Sequence, residues 1–71
     1  MATPVKAPMV GKILRIVAEV GARVEEDDTI LVMEAMKMEI EVVAPEGGTL
    51  AEINVVPGDS VTPDSVLAVI E

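Results

Sequence analysis

The sequence predicts an all-β fold made of two similar halves. Three observations carry that prediction: the chain aligns with itself when Val5 is laid on Val42, its apolar residues alternate with a period of two, and glycines punctuate both halves at matching places. The alignment pairs residues 5–34 with residues 42–71 without a gap. Ten of the thirty pairs are identical: Val5/Val42, Ala7/Ala44, Pro8/Pro45, Gly11/Gly48, Ile16/Ile53, Gly21/Gly58, Val24/Val61, Asp27/Asp64, Val32/Val69 and Glu34/Glu71. A solenoid needs three or more repeats to bury its faces, so two copies predict half-domains that close on each other about a pseudo-twofold axis.

Each half reads in order as a short strand, an Ala-Pro step, a glycine, a longer strand, a second glycine turn and a final apolar strand. In the longer strand Leu14/Ala51, Ile16/Ile53 and Ala18/Val55 fall on one face and Arg15/Glu52 on the other, the alternation of a half-buried strand. Gly21 and Gly58 stand where a tight turn requires a positive φ.

One segment disagrees locally. Met33-Glu34-Ala35-Met36-Lys37-Met38-Glu39 consists of good helix formers and holds no turn residue. The repeat overrides that propensity, because Met33-Glu34 aligns with the last two residues and Val42-Val43 restarts the pattern. Residues 35–41 are therefore a junction that must contain a hairpin turn. Closing it with Met36 and Lys37 in a primed turn costs about 1–2 kcal/mol per left-handed residue. The twofold symmetry places the termini at the opposite end of the barrel, leaving Lys37 at a tip.

The 71 residues suffice for one domain, residues 1–71, with no room for a second core. There is no cysteine and no histidine. Disulfides, the usual zinc ligands, a general base near neutrality and the Cys/His or Ser/His nucleophile pairs are all excluded, so no catalytic or metal-binding residue is expected. Thirteen acidic against five basic residues give a net charge of −8, which argues against nucleic acid and anionic membranes and favours basic partner surfaces. Without aromatic residues, base and sugar stacking are unavailable. No apolar run reaches the length of a membrane span, and Met1-Ala2-Thr3-Pro4 lacks signal-peptide features, so no membrane insertion is expected and the expected location is cytoplasmic.

Glu34-Ala35-Met36-Lys37-Met38-Glu39, midway between the quasi-repeats, resembles the Ala-Met-Lys-Met attachment motif of biotinyl domains, and the resemblance covers nearly the whole chain. The family resemblance implies a flattened β-barrel, the barrel-sandwich hybrid, of two four-stranded antiparallel sheets with the modified lysine on an exposed hairpin. It further implies that a biotin protein ligase joins biotin to Lys37 through an amide. The domain would then be a non-catalytic biotin carboxyl carrier, a swinging arm between a biotin carboxylase and a carboxyltransferase or decarboxylase. A lysine ammonium ionises near pH 10.4, so about one in 2,500 is a free amine at pH 7, and the ligase must help remove the proton.

The methionines Met36 and Met38 are unbranched and polarizable, suited to several partner surfaces in turn. Glu34, Ala35 and Glu39 complete the expected recognition segment for ligase and partners; Glu34 and Glu39 also read as ordinary strand-end carboxylates, since Glu34 aligns with Glu71, which has no lysine beside it. Glu25-Glu26-Asp27-Asp28 lacks calcium-loop spacing and reads as a solvated loop. Some family members carry a protruding thumb in the first half, for which the gapless repeat leaves no room, so the chain resembles the thumbless carriers. Three other readings compete: a lipoyl domain, which typically sets its lysine in Asp-Lys-Ala; an unmodified barrel-sandwich interaction module, which leaves the Met-Lys-Met setting unexplained; and a carboxylate acid-base enzyme, for which no supporting histidine exists.

Overall fold

Apolar residues spaced two apart and no surviving helical period leave the chain only sheet to bury its core, and a computed structural model describing residues 2–71 is built from strands alone. Met1, part of the expected domain, lies outside the described residues. The strands are β1 (Thr3–Lys6), β2 (Gly11–Ile16), β3 (Arg23–Val24), β4 (Thr29–Ala35), β5 (Met38–Val43), β6 (Gly48–Ile53), β7 (Ser60–Val61) and β8 (Val66–Ile70). They form two antiparallel four-stranded sheets, β1-β8-β6-β3 and β5-β4-β2-β7.

The repeat survives to the residue. Strands β2, β3 and β4 begin 37 positions before β6, β7 and β8, and β2 and β6 share one pattern of burial. Exchanging the halves converts one sheet order into the other. The halves are not, however, two bodies that meet at a face. Each sheet takes two strands from each half, so neither half can bury its apolar side without the other. The two-residue strands β3 and β7 are too short for alternation to separate from the turns before them.

The core holds matched pairs from the two halves, among them Ile13/Leu50, Ile30/Leu67 and Met33/Ile70, each at most 1% exposed. Among the described residues no polar or charged side chain is buried. Uninterrupted alternation would have put Ile13 on the side of Arg15. A register shift between Ile13 and Arg15 in β2, repeated between Leu50 and Glu52 in β6, turns Ile13 and Leu50 inward while Leu14, Ile16, Ala51 and Ile53 remain half-buried. That is what a β-bulge does: one extra residue reverses the faces beyond it.

Gly21 and Gly58 have φ of 93° and 97°, as their turns require. Gly11 and Gly48 serve a different need. A Cβ on Gly48 would stand 2.7 Å from the carbonyl oxygen of Glu71 and 2.8 Å from Ile70 Cγ2; one on Gly11 would strike the carbonyl oxygen of Glu34 and lie 2.5 Å from Met33 Cε. Both glycines let β2 or β6 approach the strand beside it. Gly11→Ala and Gly48→Ala are expected to destabilise by similar amounts, about 1–3 kcal/mol each, in thermal or denaturant unfolding.

Candidate functional site

Strand β4 runs from the turn at residues 25–28 to Ala35 and returns as β5, with Ala35 paired to Met38. Only Met36 and Lys37 lie between. Their φ angles are 52° and 65°, the left-handed values at both central residues of a type I′ hairpin, whose twist matches that of the strands. Neither residue is Gly, Asn or Asp, and Asp27, with φ 71°, is the one other non-glycine of this kind among the described residues. The expected junction hairpin is thus present, and helix propensity has yielded to tertiary pairing. Ladder hydrogen bonds and the buried side chains of β4 hold the turn in its costly conformation, as strained sites require.

The twofold relation fixes where this turn points. Its counterpart is the place where β1 and β8 pair, with Thr3 opposite Ile70, so the termini meet at the other end of a molecule 32 Å long and 19 by 17 Å across. Lys37 is exposed, as are Met36 at 84% and Met38 at 64%. Among the described residues Lys37 has no hydrogen-bond or ion-pair partner. A solitary amine at a rigid apex suits acylation by an external enzyme.

The flanking residues separate by face. Ala35 is buried at 4%, so it contributes fit to the core rather than surface. Glu34 and Glu39 sit directly opposite each other across β4 and β5, a like-charge pair that disfavours the ladder. Two basic residues on β2 offset it: Lys12 is opposite Glu34 in register, and Arg15 Nη1 donates to Glu39 Oε1 at 3.2 Å. Sequence reasoning left Arg15 among scattered basic residues, because its partner is 24 positions away and two strands over. Thr29 and Glu41 bond across the same face. Beneath them Val32 is buried outside the main core cluster, on the outer side of the sheet.

These strands and this turn match a known family: residues 3–70 fit the model for biotin and lipoyl attachment domains, described as biotin-requiring enzyme. The chain belongs to that family. It is a biotinyl attachment domain of the carrier type. The biotinyl domain is 43% identical over 60 residues to the biotin carboxyl carrier protein of Streptococcus mutans, covering 84% of this chain and 46% of that protein. Among solved structures it superposes on the urea carboxylase of Kluyveromyces lactis with a TM-score of 0.95 and 34% identity, covering all of this chain and 6% of that one. It also matches the lipoyl domain of the 2-oxoglutarate dehydrogenase complex of Azotobacter vinelandii, with a TM-score of 0.79 and 28% identity over 96% of this chain and 94% of that domain. The chain thus spans less than half the length of the carrier protein it matches.

The expected two-sheet barrel is the observed fold, and the six-residue connections 17–22 and 54–59 are equal in length, with no thumb between β2 and β3. Arg15→Gln is expected to lower stability by about 0.5 kcal/mol at low ionic strength, and by less in 1 M salt, where the repulsion between Glu34 and Glu39 is screened. Thermal melts of both proteins at two salt concentrations measure the difference.

Proposed function

We propose that Lys37 is the biotin attachment residue and that the loaded domain carries an activated carboxyl group between a biotin carboxylase and a carboxyltransferase or decarboxylase. The observation that carries this reading is the apex itself: an exposed, unpartnered lysine between two exposed methionines, held at the end farthest from the termini. Attachment joins Lys37 Nζ to the acyl carbon of activated biotin; the activating group departs and the amine proton passes to the ligase. The charge of Lys37 is lost and its side chain becomes a long neutral arm. When bound, biotin supplies a ureido nitrogen that accepts and releases the carboxyl group.

The domain's own part is to present that arm on a rigid base and to dock. Met36 and Met38 offer apolar contact adaptable enough for a ligase and then for enzymes of different shape. Glu34 lies beside them as an exposed charge, while Glu39 is tied to Arg15. The carrier and carboxylase names of the relatives support this assignment of partners, and a charge of −8 favours basic docking sites reached by electrostatic steering.

The lipoyl reading is the second one, supported by the likeness to the Azotobacter lipoyl domain. The fold is common to both cofactors; methionines on either side of the lysine favour biotin. Co-expression with a biotin protein ligase is expected to add one biotinyl group to the parent, detected by streptavidin and intact mass, and none to Lys37→Ala. A lipoyl increment, or biotin retained by the Lys37→Ala variant, contradicts the assignment.

A further inference from the structure

The pseudo-twofold axis supplies an internal comparison, because each position at the lysine end has a partner of similar backbone at the termini end. In the connection between β1 and β2 the sequence is Ala7-Pro8-Met9-Val10-Gly11; the counterpart between β5 and β6 is Ala44-Pro45-Glu46-Gly47-Gly48. Alanine, proline and the last glycine are shared, so they answer to the fold. Met9 and Val10 differ from Glu46 and Gly47, so the fold does not demand them. Met9 is partly buried against the core, but Val10 is 68% exposed.

Val10 stands beside the turn. Lys12 pairs with Glu34, and a Cβ on Gly11 would lie 3.3 Å from Ala35 Cβ, so the residue before Gly11 reaches the level of Met36. Val10, Met36 and Met38 are exposed apolar residues at the same end of the sheet as Lys37, where the repeat could equally have placed glutamate and glycine at positions 9 and 10.

We propose that Val10 belongs to the surface on which a biotin protein ligase closes, an inference that rests on Lys37 being the attachment residue. The reach of the reacting atom selects this occupant. Before modification that atom is Nζ, one lysine side chain from the backbone, so an enzyme acylating it must rest on whatever flanks the turn. After modification the reacting ureido nitrogen lies a further arm's length away, so a carboxylating enzyme need not cover the β1–β2 connection to reach it. Surface next to the turn is therefore read most closely in the unmodified state.

The test is the initial rate of biotinylation of the purified domain by a purified ligase with biotin and ATP. Parent, Val10→Gly and Val10→Leu are compared, each with its melting temperature. Glycine occupies the counterpart position, Gly47, so Val10→Gly keeps the fold. The expected result is a fall of about tenfold in kcat/KM for Val10→Gly, recovery in Val10→Leu, and near-parent melting temperatures. Carboxylation of the fully biotinylated Val10→Gly domain then proceeds at the parent rate. Biotinylation of Val10→Gly at the parent rate overturns the inference, as does a defect confined to carboxylation, which would assign the surface to the carboxylase. A parent that accepts no biotin removes the attachment reading itself and this inference with it.

Discussion

A hairpin closed by two residues is the constraint on which the reactive end of this molecule depends. Pairing Ala35 with Met38 leaves a two-residue turn, and the structure closes it with both Met36 and Lys37 left-handed, the type I′ form that matches the strand twist. A longer loop would relax the strain, but its lysine would wander. The tight turn fixes the Cα of Lys37 relative to two sheets, so the freedom of its amine lies in the side chain rather than in the backbone. Strain at a functional apex, supported by an ordinary ladder below it, is the arrangement expected where a local preference has been overruled for use.

That support comes from the interleaving of the halves. Each sheet takes two strands from each repeat, and the buried pairs Ile13/Leu50, Ile30/Leu67 and Met33/Ile70 meet in one core. The hairpin is therefore anchored by residues from the whole chain. Gly11 brings β2 close against β4 just below the turn, and the Arg15 to Glu39 contact ties β2 to β5 across the outer face. The symmetry also gives the domain two unlike ends from one plan: at one the chain turns and presents an amine, at the other the termini pair.

Much of this was legible in the sequence because a repeat carries tertiary information that single residues lack. The offset between Val5 and Val42 identified the junction, and the junction overruled the helical propensity of residues 33–39. The Met-Lys-Met setting of Lys37 identified the family, which the match over residues 3–70 bears out. Other features were hidden for physical reasons. The bulge after Ile13 reverses the alternation on which strand reading relies, and it leaves no mark in residue type. Strands of two residues are too short to show a period. Arg15 pairs with Glu39 through the sheet order, and Val32 is covered on the outside of a sheet, where alternation expects exposure.

The most direct measurement compares the unfolding free energies of Lys37→Gly and Lys37→Ala. Within regular structure alanine is the more stable of the two by about 0.5–1 kcal/mol. If the turn holds position 37 in a left-handed conformation at a real cost, that order reverses here. Glycine should then be more stable by about 1 kcal/mol, a difference of roughly 4–8 °C in melting temperature for a domain of this size. An alanine variant as stable as the glycine one, or more so, would contradict the account, because the apex would then carry no strain for the rest of the fold to support.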